Sequence, residues 1–195
     1  GNKLFKTYLS KTIAVDACVS PDNAEFAYAE VNNSGTTIQS NIKIISIKDV
    51  KEKNTEPKYE YNAVQGSLVL RIKYQDKSRL ICMYDDSIHK FETGVDVELT
   101  KLNEDNPKIT FADIELSNYV FRTYEKSTSL FRADTIIEMQ NTSNGKENVY
   151  TIEEVAKSVV SNNNVIAVNL GNEVYFVETN AWLIKRYSSS QVIEK

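Results

Sequence analysis

The two ends of this chain carry the same short strand-like sequence, and their separation fits a repeat. Leu4–Tyr8 (LFKTY) matches Leu183–Tyr187 (LIKRY) at an offset of 179 residues. Four units of that total length would have about 45 residues each, a period typical of repeats built from small sheets. A chain of this kind must bury the apolar face of each unit against a neighbouring copy.

Inside the chain, one pattern recurs four times: a strand, a short polar turn and a strongly apolar strand. Four residues mark the end of the first strand in each unit, at spacings of 55, 42 and 44 residues: Val19, Tyr74, Leu116 and Val160. The first unit is longer, and two polar stretches, 32–37 and 48–58, can absorb the excess.

Each unit is predicted to contain four strands. In the last unit, Asn- and Gly-rich turns, which tolerate positive φ, separate the strands Val155–Val160, Val165–Leu170, Glu173–Glu178 and Trp182–Tyr187. The second strand of each unit is the most apolar, as expected for a strand covered on both faces. A helix at Thr151–Val159 is the weaker alternative, because the repeat instead predicts a loop that runs into a first strand.

We therefore predict an all-β fold, a β-propeller of about four blades with four antiparallel strands each. The predicted units are 12–64, 68–102, 108–152 and 155–187, and 4–8 is predicted to be the last strand of a preceding unit. The chain begins with Gly1 rather than Met, so we expect a piece of a longer protein. The ends could close a small ring, or two copies could complete each other, but we favour a segment of a larger propeller.

The segment Val19–Tyr28 (VSPDNAEFAY) resembles the signature of TolB-type propeller repeats. The last unit resembles propeller domains that follow a single membrane anchor in Firmicutes-type bacteria. Only the first unit carries the Ser-Pro-Asp triplet, and the Trp-Asp dipeptide of WD repeats is absent. The resemblance implies a scaffold, WD40-like in general form, and a bacterial protein outside the cytoplasm, anchored in a membrane or at the cell surface. It carries over no functional residue.

Composition and charge exclude several classes of function. The net charge is −4, with scattered basic residues, so nucleic acid is not an expected partner. No stretch approaches the roughly 20 apolar residues of a membrane span. Cys18 and Cys82 lie in apolar segments and are expected to be buried free thiols, with a disulfide between them as the alternative. With one histidine in the chain, they cannot form a complete Cys/His zinc site.

The single histidine is the only residue that could be the base of a catalytic triad. His89 lies in a short predicted outer strand, and the chain has no Gly-x-Ser-x-Gly motif. We expect an exposed strand histidine. Asp85 and Asp86 are expected to form a turn, and the loop 103–107 is predicted to connect two blades rather than to bind a cation.

Carboxylates near the propeller axis are the alternative site. Asp16, Asp113 and Glu115 lie on or beside predicted inner strands, and paired carboxylates are the catalytic groups of glycoside hydrolases. The expected role of such residues is to hold loops in place. The 11 tyrosines and Trp182 are expected to pack between blades, and the sequons at Asn32 and Asn141 are expected to be turns.

The sequence thus predicts a binding or scaffolding module without enzymatic activity, catalytic residues, metal or cofactor. Its expected partners are a protein or a cell-surface polymer, with a homodimer also considered. The alternative is a glycan-active hydrolase or lyase that uses carboxylates near the axis.

Overall fold

The structure is a computed structural model that describes residues 6, 9, 11–32, 37–63, 66–102, 109–179 and, for the backbone alone, 183–188. The chain divides into two compact units, Gly1–Lys101 and Leu102–Lys195. Each unit contains two four-stranded sheets, and every strand pairs with its neighbour in sequence. This arrangement confirms the predicted propeller-type all-β fold, and the sheets are called blades 1 to 4 in chain order.

Unit 1 contains blades 1 and 2. Blade 1 consists of β1 (Thr12–Val19), β2 (Glu25–Asn32), β3 (Ser40–Ser46) and β4 (Tyr59–Asn62), with a short helix α1 (Ile47–Lys51) between the last two strands. Blade 2 consists of β5 (Val69–Tyr74), β6 (Arg79–Tyr84), β7 (Ser87–Glu92) and β8 (Val95–Lys101).

Unit 2 contains blades 3 and 4. Blade 3 consists of β9 (Ile109–Asp113), β10 (Tyr119–Ser129), β11 (Arg132–Asn141) and β12 (Glu147–Ile152). Blade 4 consists of β13 (Ser158–Asn162), β14 (Val165–Asn169), β15 (Glu173–Glu178) and β16 (Leu183–Ser188). The hairpin of β10 and β11 is longer than its neighbours, and Leu130 and Phe131 at its tip are 88% and 92% exposed.

Polar turns between the first two strands set the pairing in each blade. In blade 1, the Ser20 hydroxyl and the Ala24 amide both donate to Asp22 Oδ1, at 2.7 and 3.1 Å. Asn23 in the same turn has a φ of +57°, a conformation that Asn tolerates. In blade 4, Asn163 reaches +53° at the corresponding position. The turn residues identified from the sequence therefore fix the hairpins as expected.

The core of unit 1 lies where blade 1 packs against blade 2. Blade 1 contributes small and β-branched side chains and one tyrosine, whereas blade 2 contributes larger ones. The fully or nearly fully buried members are Ala27, Ala29, Ile42, Ile44, Tyr61, Val69, Ile72, Tyr74, Leu80, Cys82, Tyr84 and Phe91. Burial of this apolar surface is the main stabilising term of the unit.

The core of unit 2 lies between blades 3 and 4 and is mostly aliphatic. Its buried members are Leu116, Phe121, Ile137, Met139, Ile152, Ala156, Ile166, Val168, Leu170 and Val177. As predicted, the second strands contribute buried residues to both cores: Leu80 and Cys82 of β6 in unit 1, and Ile166 and Val168 of β14 in unit 2.

Two local expectations differ in outcome. The helix α1 lies at the start of the stretch 48–58, which was expected to be only a polar insertion. Ser46 caps the helix by accepting a hydrogen bond from the Asp49 amide at 3.3 Å. In contrast, 153–157 is not helical and leads into β13, so the loop preferred from the repeat is confirmed, although the strand begins at Ser158 rather than at the predicted Val155.

Several sequence-based expectations lie wholly or mostly outside the described residues. They concern the strand at 4–8, the loop 103–107 and Trp182.

Candidate binding surface

Two β-bulges in unit 1 expose apolar side chains at matching positions. The register of β1 against β2 shifts between Ala14 and Asp16, which leaves Val15 unpaired. The register of β5 against β6 shifts between Val69 and Arg71, which leaves Leu70 unpaired. Val15 is 43% exposed and Leu70 is 41% exposed. Bulges bend a strand and redirect side chains, and they occur often beside functional sites.

The two bulges occupy equivalent places in their blades. Val15 precedes Val19, the last residue of β1, by four positions, and Leu70 precedes Tyr74, the last residue of β5, by the same number. Arg71 follows Leu70 and is exposed. We call Val15, Leu70 and Arg71 the bulge surface.

Asp16 connects the two first strands beside these bulges. Its Oδ2 accepts a hydrogen bond from the Ile72 amide of β5 at 2.9 Å, and its Oδ1 accepts one from the Ala17 amide at 2.9 Å. Both carboxylate oxygens are therefore bound by backbone amides. The interaction holds β1 and β5 together and fixes the spacing of the bulge surface.

Asp113 has the same role in unit 2. Its Oδ1 accepts from the Ile114 amide at 2.8 Å, and its Oδ2 accepts from the Ser161 hydroxyl of β13 at 2.9 Å. Glu115 follows β9 and is half-buried. The predicted role of inner-strand aspartates as structural ties accounts for the geometry of Asp16 and Asp113, and neither presents a carboxylate poised for acid–base chemistry.

His89 is at the centre of a hydrogen-bonded chain that the sequence did not predict. Its Nδ1 lies 2.8 Å from Asp96 Oδ1, and its Nε2 lies 3.0 Å from Ser87 Oγ. Its side chain is only 15% exposed, so the expectation of an exposed histidine was wrong. The ring also contacts the edge of Tyr84, with centroids 5.1 Å apart.

This Asp–His–Ser order matches a catalytic triad, but the serine is not placed as a nucleophile. Ser87 is 6% exposed, and its hydroxyl also donates to Asp86 Oδ1 at 2.9 Å. Asp86 Oδ2 in turn accepts from Ser67 at 2.7 Å. The network therefore connects the loop before β5, the turn after β6, and the hairpin of β7 and β8.

The turn assignment for Asp85 and Asp86 agrees with this network. Asp85 Oδ1 accepts from the Leu68 amide at 2.7 Å, and the Asp85 amide donates to Leu68 O at 2.9 Å. Among the described residues, no group of three His, Cys, Asp or Glu side chains could hold a metal ion.

Both cysteines are free thiols, as predicted, but only Cys82 is buried in the core of unit 1, whereas Cys18 is partly buried and packs against it. Burial raises the pKa of Cys18 to about 12 and also raises the pKa of Cys82. Because the thiolate is the reactive form, neither cysteine is suited to nucleophilic chemistry in the folded chain. The expected packing role of tyrosine is seen for Tyr61, Tyr74 and Tyr84, which are all buried in the same core.

The bulge surface itself was missed by the sequence analysis. In β1 the residues Ile13, Val15, Ala17 and Val19 alternate regularly with their neighbours, so nothing marks a shift of register. In β5 the adjacent apolar residues Val69 and Leu70 break the alternation, and this doublet is the one signal that could have indicated a bulge.

The sequence matches no protein-family model and no curated protein. In contrast, several solved structures resemble the chain. It is similar to prolyl oligopeptidase B from Galerina marginata, with a TM-score of 0.55 and 16% identity over 91% of this chain and 29% of that chain. The same enzyme bound to a 35mer hydrolysis and macrocyclization substrate gives a TM-score of 0.52 and 15% identity, over 91% of this chain and 28% of that chain.

A structure from a study of two prolyl endopeptidases gives a TM-score of 0.57 and 15% identity, over 91% of this chain and 28% of that chain. The chain thus spans less than a third of the length of these proteins. At this level of identity the similarity shows a β-propeller fold, without a link to TolB-type or membrane-anchored propellers.

These similarities contradict the expectation that the protein is not an enzyme. The similar structures are enzymes of which the matched segment is a minor part. The expectation relied on the lack of a catalytic constellation in this sequence. That argument fails because one fold supports many functions, and the reacting groups of a larger protein need not lie in its propeller.

Among the described residues, no helix has the length and apolar character needed to cross a membrane.

Proposed function

We propose that this chain is a β-propeller segment that provides a binding surface in a larger enzyme. The observation that carries the proposal is the pair of equivalent bulges, which expose Val15 and Leu70 on the first strands of blades 1 and 2. In a propeller the blades are arranged around a central channel. Exposed apolar side chains that recur at one position of the repeat favour binding over solubility.

We propose a peptide as the ligand class. Val15 and Leu70 offer two apolar contacts, and the adjacent Arg71 adds a positive charge that favours carbonyl or carboxylate groups nearby. The amide ties of Asp16 preorganise the two first strands, which lowers the entropic cost of binding. The prolyl oligopeptidase structures support this choice by analogy, since one of them contains a 35mer substrate.

The glycan-active alternative gains no support from the carboxylates, because Asp16 and Asp113 bind amide and hydroxyl donors inside each unit. The finer expectations from the TolB-type resemblance remain proposals. They are a bacterial protein outside the cytoplasm, a membrane anchor in the parent protein, and a protein or cell-surface polymer as partner.

Peptide binding can be tested by NMR titration of the 15N-labelled chain with a pool of peptides about ten residues long, half of them containing proline. We expect amide resonances of β1 and β5 to shift with peptide and not with an oligosaccharide of similar length. Val15→Ser should weaken binding at least threefold, because it removes one of the two apolar contacts.

Val97→Ser is the matched control, since Val97 on β8 is 40% exposed and Val15 is 43% exposed. Equal weakening by both substitutions, or shifts confined to residues away from β1 and β5, would show that the bulge surface does not bind peptides.

A further inference from the structure

The outer face of blade 1 is built like one side of an interface between blades. Within unit 1, blade 2 contacts blade 1 through a row of residues that lie opposite one another on its first three strands: Tyr74, Leu80 and Phe91. All three are buried in the core of unit 1. They pack against a complementary row of blade 1: Cys18, Ala27 and Ile44.

The repeat identifies the same rows elsewhere in the chain. Val19 ends β1 as Tyr74 ends β5, and Phe26 is the second residue of β2 as Leu80 is of β6. Val19, Phe26 and Ile45 lie opposite one another on blade 1. We call them the leading row, because they correspond to the row through which blade 2 packs on the blade before it.

The complementary row recurs on the outer face of blade 4. Ala167 is the third residue of β14 as Ala27 is of β2. Its register partners are Val160 on β13 and Phe176 on β15. We call Val160, Ala167 and Phe176 the trailing row. By the same correspondence, Val160 occupies the place of Cys18.

Both rows are apolar, and their members on the first strands are exposed, whereas Ile45 at the far end of the leading row is only 1% exposed. Val19 is 52% exposed and Val160 is 64% exposed. Beside the leading row, an apolar cavity of about 350 Å³ opens between the first two strands and α1, lined by Ala17, Val19, Phe26, Ile47 and Val50 among others. Such a cavity can take an apolar side chain of a partner.

The buried carboxylate on this face is paired with a lysine. Glu30 is 2% exposed, and its Oε1 pairs with Lys43 Nζ at 2.7 Å while its Oε2 accepts from the Thr12 hydroxyl at 3.0 Å. A partner that covered the face would therefore leave no uncompensated charge at this pair.

We propose that the leading row of one copy of this chain binds the trailing row of a second copy, head to tail. The occupant is a second copy because the chain itself carries the complementary surface, built like the interface already present inside unit 1. A head-to-tail contact of this kind can close into a ring. Two copies of a chain with four sheets stay within the roughly four to eight blades of known propellers.

Sedimentation velocity from about 1 µM to about 200 µM tests the proposal, since a dimer must depend on concentration. We expect the mass to rise from 22.1 kDa to twice that value. Within unit 1, the Tyr74 backbone hydrogen-bonds to the Cys18 side chain. Because Val19 corresponds to Tyr74 and Val160 to Cys18, Val19 should meet Val160 across the new interface. Val19→Lys and Val160→Glu should each weaken dimer formation at least tenfold.

A mixture of the Val19→Lys and Val160→Glu chains should regain the wild-type dimer affinity. The introduced lysine would then face the introduced glutamate at one interface, and both residues at the other interface are unchanged. Val149→Lys is the matched control: Val149 on β12 is 58% exposed and lies in neither row. Circular dichroism verifies that each variant is folded.

A monomer at the highest concentration would overturn the proposal. So would a dimer that the single substitutions leave intact, or a mixture that stays monomeric. Peptide binding at the bulge surface is measured separately, so failure of one proposal does not decide the other.

Discussion

The two units join their blades at the same place with different side chains. In unit 1, aromatic residues dominate the buried interface: Tyr61, Tyr74, Tyr84 and Phe91. In unit 2, Phe121 is the single aromatic residue among the buried core members that the structure describes, and further aromatic residues pack against this core only partly buried: Phe111, Tyr119, Tyr150 and Tyr175. The fold therefore requires apolar volume at this position rather than a particular residue type.

Directed interactions add to the packing of the aromatic residues in unit 1. The rings of Tyr61 and Phe91 stack with centroids 4.2 Å apart. The Tyr61 hydroxyl accepts a hydrogen bond from the Gly94 amide at 3.0 Å, and the Tyr74 hydroxyl donates to Glu25 at 3.3 Å. Burial, the largest cause, raises the pKa of Tyr61, so this hydroxyl stays protonated. Unit 1 thus combines burial with specific polar contacts.

The ties between first strands differ in the same direction. Asp16 accepts from a backbone amide of the next blade, whereas Asp113 accepts from the Ser161 side chain. A backbone amide has a fixed direction and cannot turn toward water, while a serine hydroxyl can rotate. Loss of the carboxylate acceptor should therefore cost more stability in unit 1 than in unit 2.

The largest effect is expected from truncating the buried aromatic residue of each interface. Phe91→Ala and Phe121→Ala each remove a ring that is 1% exposed, so each should lower the free energy of unfolding by about 3–5 kcal/mol. Phe91→Ala should cost about 0.5–1.5 kcal/mol more, because it also removes the stacking on Tyr61. Chemical denaturation of the variants measures both values.

Phe131→Ala is the control for this experiment. Phe131 is 92% exposed, so its truncation should change the free energy of unfolding by less than about 0.5 kcal/mol. A smaller loss for Phe91→Ala than for Phe121→Ala would contradict the view that aromatic contacts strengthen unit 1.

An intermediate effect is expected from the two aspartate ties. Asp16→Ala leaves the Ile72 amide without its acceptor and should lower the free energy of unfolding by about 1–3 kcal/mol. Asp113→Ala frees a hydroxyl that can turn to water, and about 0.5–1.5 kcal/mol is expected. Urea denaturation of both variants gives the comparison.

Asp16→Asn is the control, because its side-chain carbonyl can still accept one amide and should recover part of the loss. An equal loss for Asp16→Ala and Asp113→Ala would mean that the fixed direction of the amide donor is unimportant.

The repeat made the fold predictable, whereas the site was not. Polar turns and apolar second strands recur in all four units, so the four-stranded sheets could be predicted without knowledge of long-range contacts. The bulges at Val15 and Leu70 depend on a one-residue shift of register, which strand periodicity does not encode for β1.

The His89 network shows a second limit of sequence reasoning. Ser87 and His89 lie two positions apart on β7 and therefore share a face, which the sequence could have indicated. Asp96 reaches His89 only through the pairing of β7 with β8, where the register again shifts between Ile88 and His89. The helix α1 was missed because a five-residue helix has too little periodicity to be recognised.

The smallest effect on stability is expected from lowering the pH, and it should differ between the turns of the two units. Burial alone would raise the pKa of Asp76, but hydrogen bonds from the Ser78 and Arg79 amides and from the Arg79 guanidinium hold it below its ordinary value of 3.8. The corresponding turn of blade 4 uses Asn163 at positive φ, and an amide side chain does not titrate.

A carboxylate with a depressed pKa stabilises the fold fully above its unfolded pKa, and this contribution disappears as the pH falls through the folded pKa. Asp76→Asn should therefore destabilise the chain near neutral pH, and the difference from the wild type should begin to shrink near pH 4 and vanish once the pH is below the folded pKa of Asp76. The effect is small because the Asp76 side chain is 39% exposed and solvent screens it.

Asn163→Gly, the control in unit 2, should change stability by the same amount at every pH. Urea denaturation from neutral pH to about pH 2.5 tests both expectations, and a difference between Asp76→Asn and wild type that stays the same over this whole range would show that the Asp76 turn contributes nothing through its charge.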